Sequence, residues 1–435
     1  MAQERVEITG FSPVSPDVLW TVCGDFARPW HPLVVAMELQ RDEHMATVRA
    51  FKVVDDAGFY RERLIYRSDS DRTLQYEHLK GIAGVVSYRA RLAIIPVADG
   101  GSRIEWIAEI EAETERAREI AHGTAAIFQA GIDFLAEPTN THLQPAGAFP
   151  DKSVAEPSPH QLHTLRIGGQ PELAVTANTT AGNTLVLFLH GIGGGRDNWT
   201  DQLQRLTGRW TAAALDLRGY GDSRLGESQT TVDDYCNDIL RVMDRFGARR
   251  LVLCGLSYGS WLATSFAMRH PGKLAGLVLS GGCTGMSEAS DAEREGFLQS
   301  RQAPLDAGKA PVDFADAVVS VLAGPHASDE TRSALRRSMA AIPAATYRDA
   351  LNCFTHPPEK FDFSRLGMPV LMMTGEYDRL ASPAEIRGVA QRIVEQAQAP
   401  SVRFEVIADA GHVCNIEQPD AYTNVLIEFL EGLTP

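Results

Sequence analysis

The feature that most constrains the fold is the pentapeptide Gly255–Gly259, which reads G-L-S-Y-G. It directly follows the apolar run Leu251–Cys254 and precedes a stretch of helical character, Trp261–Ala267. A strand that passes through so tight a turn into a helix holds the serine backbone in a strained conformation and exposes its hydroxyl above the sheet edge. The flanking glycines are needed because a side chain at either position would collide with a neighbouring strand or helix. The pattern predicts that Ser257 is a nucleophile.

A serine hydroxyl is a weak nucleophile at neutral pH and needs a base, which in turn needs an acid to orient it. The candidate base is His412, which lies just before the closing helical segment. The candidate acid is Asp378, which follows the predicted strand beginning at Val370; Glu376, two residues earlier, is the one near competitor. Ser257, Asp378 and His412 follow one another in the chain order typical of a nucleophile on a strand-turn-helix elbow.

A developing oxyanion requires hydrogen-bond donors that are fixed in advance. The sequence predicts two backbone N–H groups, those of Tyr258 and Ile192. Tyr258 follows the serine, and Ile192 lies in the glycine-rich loop His190–Gly195 after the predicted strand Thr184–Leu189. A second loop, Asp216–Ser223, is predicted to brace the first.

From about Leu165 to Pro435 the chain resembles the α/β-hydrolase superfamily. The resemblance rests on H-G-x-G, D-x-R-G-x-G-x-S, G-L-S-Y-G, G-E-Y-D and the ending G-H-V-C-N-I-E-Q-P, which is similar to the enol-lactonase and esterase branches. It implies an α/β-hydrolase fold, with a mostly parallel sheet, helices on both faces and a helical lid at about 284–365. Two departures from the pattern, Ser260 and Tyr377, are expected to bear on the shape of the pocket and not on the triad.

The front region, residues 1–137, has a different pattern. Residues alternate between apolar and polar over 87–94 and 103–110, which predicts two antiparallel strands, and 115–136 carries one apolar helical face. Together with the short motifs around Trp20 and Trp30, this region resembles the START/Bet v 1-like, or polyketide-cyclase-like, superfamily. The resemblance implies an α+β helix-grip domain with a cavity for a hydrophobic ligand. Trp20, Trp30 and His31 are candidate lining residues; for each one, plain core packing is the alternative.

Residues 138–160 contain five prolines and little periodicity, which is typical of a semi-extended linker. We therefore expect a helix-grip domain at 1–137, a linker at 138–160 and an α/β-hydrolase domain at 161–435.

Composition excludes several classes of partner. The net charge of −15 gives the chain no electrostatic reason to bind nucleic acid or an anionic membrane. Its six cysteines include no C-x-x-C pair, which favours reduced thiols in a cytoplasmic protein without structural zinc. No signal peptide or long apolar run is evident, so no membrane association is expected.

The sequence thus predicts a serine hydrolase that cleaves a carboxylic ester or lactone of a hydrophobic small molecule, with no metal and no organic cofactor. Three alternatives stay open: hydrolysis of a carbon–carbon bond in a diketone-like compound, an amidase, and a non-catalytic small-molecule receptor or carrier. The role of the front domain, the natural substrate and a homo-oligomeric state are left undecided.

Overall fold

The computed structural model describes residues 1–54, 58–137, 162–397 and 400–433. The chain divides into two compact units: Met1–Glu156 with Ala399–Phe404 and Pro435, and Pro157–Gln398 with Glu405–Thr434. The predicted linker at 138–160 lies outside the described residues. Within the described ranges, no helix combines the length and the apolar character needed to cross a bilayer.

The described residues of the first unit form an antiparallel sheet and two helices. Its elements are β1 (Ala2–Ser12), α1 (Pro16–Cys23), β2 (Val34–Arg41), β3 (Thr47–Val53), β4 (Tyr60–Ser68), β5 (Thr73–Lys80), β6 (Val85–Pro96), β7 (Ser102–Ala112) and α2 (Thr114–Ala136). The sheet order is β1-β7-β6-β5-β4-β3-β2, and each of these pairs is antiparallel.

The long helix α2 packs against β1 and β7 of this sheet. Its buried residues recur every three or four positions, as a single helix face requires: Ala117, Ile120, Thr124, Phe128, Gly131, Ile132 and Leu135. On β7 every second residue from Ile104 to Ala112 is buried, and the ring of Trp106 stacks on Phe128 with centroids 4.3 Å apart. The alternation and the helix face predicted from the sequence form the core of this unit.

The second unit alternates strands and helices. The strands from His163 onward are β8 (His163–Ile167), β9 (Leu173–Ala177), β10 (Thr184–Leu189), β11 (Thr211–Leu215), β12 (Arg250–Leu256), β13 (Leu274–Ser280), β14 (Val370–Gly375) and β15 (Val402–Ile407). Of β15, the residues from Glu405 onward belong to the second unit. Its helices are α3 (Thr200–Leu206), α4 (Val232–Arg245), α5 (Tyr258–Arg269), α6 (Asp291–Asp306), α7 (Pro311–Leu322), α8 (Asp329–Ala340), α9 (Ala344–Thr355), α10 (Pro383–Gln396), α11 (Cys414–Glu417) and α12 (Pro419–Gly432). In the described part of this unit, three short 3₁₀ helices accompany them: Arg196–Trp199, Pro271–Lys273 and Phe363–Arg365.

The strand order is β8-β9-β11-β10-β12-β13-β14-β15. The pairs from β11 to β14 are parallel, whereas β8, β9 and β11 pair antiparallel. The predicted mostly parallel sheet is therefore confirmed, with an antiparallel edge. Parallel strands bring their carboxyl ends to one edge of the sheet, which is where ligands bind in such folds.

The helix boundaries follow local capping chemistry. At the start of α4, the Thr231 side chain accepts a hydrogen bond from the Asp234 N–H at 3.2 Å, and the Asp234 carboxylate accepts one from the Thr231 N–H at 2.9 Å. At the start of α10, Ser382 caps the Glu385 N–H and Pro383 occupies the first turn. The insertion predicted at about 284–365 contains four helices, α6 to α9, between β13 and β14.

Candidate active site

Ser257 occupies the sharp turn between β12 and α5. Its backbone has φ 54° and ψ −112°, a left-handed conformation that costs a non-glycine residue about 1–3 kcal/mol. A Cβ on Gly255 would lie 2.3 Å from the Gly259 carbonyl oxygen, and one on Gly259 would lie 2.3 Å from the Leu189 carbonyl oxygen. The steric reason for both glycines, predicted from the sequence, is thus present in the structure.

Asp378 and His412 meet at the carboxyl edge of the sheet. The Nδ1 of His412 lies 2.9 Å from Oδ2 and 3.1 Å from Oδ1 of Asp378, and both residues are buried. Because Asp378 can only accept, this contact fixes the proton on Nδ1 and leaves Nε2 as the atom able to accept one.

The Asp378 carboxylate is held by further donors. Its Oδ1 accepts hydrogen bonds from the backbone N–H groups of Leu380 (2.8 Å) and Ala381 (2.9 Å), and Oδ2 accepts one from the Thr374 hydroxyl (3.2 Å). Burial by itself raises the pKa of Asp378, but the hydrogen bond and charge of His412, with the backbone donors, outweigh it and leave the pKa below its usual value. The acid is therefore kept ionised.

Glu376, the competing acid, is placed differently. Its side chain is exposed, and its Oε2 accepts a hydrogen bond from the Asp409 backbone N–H at 3.1 Å. The structure therefore brings Asp378 and not Glu376 to the imidazole.

Ser257 and His412 line the same cavity. Neither the Ser257 hydroxyl nor Nε2 of His412 has a hydrogen-bond partner within the described ranges, although that nitrogen is buried. Since Nδ1 donates to Asp378, Nε2 is the nitrogen that can accept a proton from the Ser257 hydroxyl.

Ile192 and Tyr258 line this cavity as well. Tyr258 is the first residue of α5, so its N–H has no carbonyl to bind within the helix. The Ile192 N–H likewise makes no hydrogen bond to any part of the chain that the structure describes. Both residues of the predicted oxyanion site therefore line the cavity that contains Ser257, and their role as donors stays a prediction.

The loop that carries Ile192 is braced by the loop after β11. The Oδ1 of Asp216 accepts a hydrogen bond from the Arg196 N–H at 2.8 Å, and the Tyr220 hydroxyl donates to the Ile192 carbonyl oxygen at 3.1 Å. His190 is fully buried, and its Nε2 accepts from the Leu217 N–H at 3.1 Å. Burial lowers the pKa of His190, so its ring is a neutral connector between the loops. The bracing predicted for the second loop is present, and Tyr220 is a positioning residue that the sequence did not single out.

The cavity around Ser257 has a volume of about 540 Å³ and is largely apolar. Three of the four inserted helices contribute to its wall: Phe297 and Arg301 from α6, Phe314 and Val318 from α7, and Tyr347, Leu351 and Phe354 from α9. A cavity of this size and lining suits a small molecule with an apolar body.

Neither departure from the family pattern contributes to that wall. The Ser260 side chain is buried between strands, where its hydroxyl oxygen lies 2.7 Å from the Gly255 carbonyl oxygen and accepts from the Ser280 N–H at 2.9 Å. Tyr377 is partly exposed, with its ring 5.5 Å from that of His326. Ser260 thus contributes to strand and helix packing instead of to pocket shape.

The first unit contains a separate cavity of about 450 Å³. Trp30 and His31 line it, as predicted, whereas Trp20 packs elsewhere and donates its indole N–H to Asp69 at 2.8 Å. Arg49 and Glu62 also line this cavity and form an ion pair, with Nη2 of Arg49 2.6 Å from Oε2 of Glu62. Because Trp20 does not line the cavity, the alternative of plain core packing applies to Trp20.

Two stretches of the chain match known protein families. Residues 184–419, more than half of the chain, match the family profile described as alpha/beta hydrolase fold. The chain belongs to the α/β-hydrolase family. Residues 3–137 match a second profile, described as polyketide cyclase / dehydrase and lipid transport. Both resemblances read from the sequence, and the fold class with them, are confirmed.

Relatives of this α/β hydrolase share the second unit. The chain is 21% identical over 277 residues to the 3-oxoadipate enol-lactonase 1 of Acinetobacter baylyi, covering 63% of this chain and 99% of that protein. A thermophilic esterase from Thermogutta terrifontis is similar in structure, with 25% identity, a TM-score of 0.54 and coverage of 63% of this chain and 100% of the esterase. The enol-lactonase from Burkholderia xenovorans has the same fold, with 22% identity, a TM-score of 0.51 and coverage of 62% and 100%.

The described residues contain no group of three or more side chains suited to hold a metal ion. All six cysteines are free and buried.

Proposed function

We propose that the protein hydrolyses a carboxylic ester or lactone of a hydrophobic small molecule through an acyl-enzyme on Ser257. Support comes from the α/β-hydrolase family match and from similarity to an esterase and to enol-lactonases. The observation that carries the proposal is the imidazole of His412, which is oriented by Asp378 through Nδ1 and free at Nε2 in the cavity of Ser257.

In the first half-reaction the Ser257 oxygen attacks the carbonyl carbon while His412 Nε2 takes the hydroxyl proton. The negative oxygen that forms is stabilised by the N–H groups of Ile192 and Tyr258. The carbonyl then re-forms, the bond to the alkoxy oxygen breaks, and the leaving oxygen takes the proton from His412. Asp378 stabilises the imidazolium between these two transfers.

In the second half-reaction a water molecule replaces the alcohol. His412 removes one proton from the water as its oxygen bonds to the acyl carbon, and it returns that proton to Ser257 as the acyl–oxygen bond breaks. The products are a carboxylic acid and the free serine. No step of this mechanism uses a metal ion or an organic cofactor.

Turnover of an activated ester tests the proposal. Wild-type protein should release para-nitrophenolate from para-nitrophenyl butyrate, with an initial burst if deacylation is slow. Ser257→Ala should lose on the order of 10⁶-fold in kcat, the usual cost of removing such a nucleophile. Ser320→Ala, which alters an exposed serine on α7, is the matched control and should be unaffected. Activity of Ser257→Ala within tenfold of wild type would reject the mechanism, and a wild type that binds but never turns over esters would favour a receptor or carrier.

We also propose that residues 1–137 form a separate helix-grip domain that holds a hydrophobic substrate or product, joined to the hydrolase through 138–160. The lined cavity between α2 and the sheet of the first unit supports this role. The four inserted helices are proposed to act as a lid, because their apolar side chains cover the cavity that contains Ser257.

A further inference from the structure

The wall of the catalytic cavity contains a charged group that the ester-hydrolase mechanism does not use. Arg301 is the only lysine or arginine among the described residues that line the cavity. It projects from α6 and is only partly exposed. In an apolar wall such a group is costly unless a partner offsets the loss of hydration.

No carboxylate offsets the charge of Arg301 within the described ranges. Its guanidinium lies 3.6 Å from the ring centroid of Phe297, one turn earlier on the same helix, and Nη1 donates to the neighbouring Ser300 hydroxyl at 3.0 Å. Burial lowers the pKa of Arg301. Two other arginines of the inserted helices form ion pairs. Arg348 lies 2.7 Å from Asp306, and Arg294 lies 3.6 Å from Asp291.

A second donor lies close to this guanidinium. The hydroxyl of Tyr347, on α9, has no hydrogen-bond partner in the parts of the chain that the structure describes, and Tyr347 is nearly fully buried in the cavity wall. Burial raises the pKa of Tyr347, and the nearby charge of Arg301 opposes part of that rise. Both groups line the largely apolar cavity that contains Ser257, and both can donate hydrogen bonds to a ligand there.

Among the described residues of the wall, Glu385 is the one carboxylate. It belongs to the start of α10, and its charge neighbour is Asp378 rather than Arg301. Burial, and then Asp378, raises the pKa of Glu385. Glu385 therefore does not neutralise Arg301, and the cation remains available to a ligand.

We propose that Arg301, with the Tyr347 hydroxyl, binds a carboxylate on the substrate at a distance from the bond that is cleaved. The proposal rests on the ester- or lactone-hydrolase function, and it narrows the substrate to a half-ester or lactone acid with an apolar body. A guanidinium and a phenol hydrogen together match the two oxygens of a carboxylate. A phosphate dianion would bring a second negative charge into a wall whose described residues include no second lysine or arginine, so a carboxylate is the better match.

A pair of substrates that differ only in this charge tests the proposal. The pair is para-nitrophenyl hydrogen suberate and the same ester with its far carboxyl capped as the methyl ester. The measured quantity is the ratio of kcat/KM for the acid to kcat/KM for the capped ester. Wild type should favour the acid, and Arg301→Gln should reduce the ratio by roughly 10- to 100-fold, the loss expected for a hydrogen bond to a charged group. Arg301→Lys should retain part of the preference because it keeps the charge but loses the planar fork.

Arg348→Gln is the matched control, because it removes an arginine of α9 that is paired with Asp306 and does not line the cavity. It should leave both the ratio and the activity unchanged. An Arg301→Gln ratio equal to that of wild type, or a wild type that favours the capped ester, would overturn the proposal. Hydrolysis of the capped ester alone would leave the ester-hydrolase function standing and reject only the carboxylate site.

Binding without turnover gives an independent measurement. Calorimetry of octanoate with Ser257→Ala should show affinity that falls about tenfold or more when Arg301→Gln is added. Methyl octanoate should bind both proteins alike. Equal octanoate affinity in the two proteins would contradict the carboxylate site even if the protein hydrolysed neither ester.

Discussion

The hydroxyl of Tyr220 donates a hydrogen bond to the backbone carbonyl oxygen of Ile192 across 3.1 Å. Tyr220 is almost fully buried, and its ring meets the imidazole of His190 edge-on at 4.7 Å. Ile192, whose N–H is proposed to bind the oxyanion, is therefore held at its carbonyl group by the buried side chain of Tyr220. Such fixed placement is what makes a donor effective, because the donor then needs no reorganisation in the transition state.

Tyr220→Phe should lower kcat about tenfold with little change in KM, because it frees the Ile192 peptide without altering the cavity wall. The free energy of unfolding should fall by only about 1 kcal/mol, the usual value of one hydrogen bond. Steady-state kinetics on para-nitrophenyl butyrate measure the effect. Tyr377→Phe, which changes an exposed hydroxyl outside the cavity, is the control; equal kcat values in the two variants would contradict the positioning role.

Asp378→Asn should reduce kcat by about 10⁴-fold, because an amide in this place favours the wrong tautomer of His412. Glu376→Gln should change kcat far less, since Glu376 contacts the Asp409 backbone and not the imidazole. Parallel kinetics of the two variants decide the assignment. If the larger loss followed Glu376→Gln, the acid would be misassigned.

The stability of the first unit should decrease as the pH falls from about 6.5 to about 4. Burial, chiefly, lowers the pKa of His31 from 6.5 to about 4, and burial lowers that of His78 to about 4 as well. Above this window the imidazoles are neutral in both states. Within it the unfolded chain binds protons that the folded chain does not, so unfolding becomes more favourable as the pH decreases.

Urea unfolding of wild type and His31→Asn at pH 7 and pH 4.5 measures this effect. The variant should lose less stability between the two pH values than wild type does. The quantity compared is the change in the free energy of unfolding between the two pH values, measured for each protein separately. The substitution also removes the contacts of His31 with the Ile127 carbonyl oxygen and with Trp106, but a cost that is the same at both pH values cancels. An identical loss in both proteins would exclude His31 as a contributor.

Limited digestion with trypsin tests the proposed domain division. Lys152 is the only lysine or arginine between residues 138 and 161, a stretch whose prolines and scarce apolar residues predict little buried area. The first cut should therefore fall at Lys152 and yield two resistant fragments, and Lys152→Gln should remove it. Initial cleavage within 1–137 instead would argue against a linker at 138–160.

Features of the site that depend on local chain geometry could be predicted from the sequence. The strained backbone of Ser257 follows from its place in a tight turn between a strand and a helix. The structure shows the backbone contacts that exclude a side chain at Gly255 and at Gly259. The order of Ser257, Asp378 and His412 likewise follows from their places at strand ends. Sequence patterns report such features because a few neighbouring residues determine them.

Features that depend on side-chain direction could not be predicted. Asp378 and Glu376 lie two residues apart on one turn, and only the path of the chain around Ala381 and Asp409 decides which carboxylate reaches the imidazole. Arg301 belongs to a helix with many charged residues. Only the packing of α6 beside α9 shows that Arg301 lines the cavity and has no acid partner among the described residues. For the same reason the sequence predicts one cavity lined by Trp20, Trp30 and His31, whereas the Trp20 side chain packs elsewhere.

The most direct test of the central claim is to locate a covalent adduct formed by a fluorophosphonate, which reacts with an activated serine. The wild-type protein should gain the mass of one phosphonyl group, and peptide mapping should place it on Ser257. His412→Ala should label far more slowly, because the serine then lacks its base. An adduct on any other residue, or equal labelling of wild type and Ser257→Ala, would contradict the account.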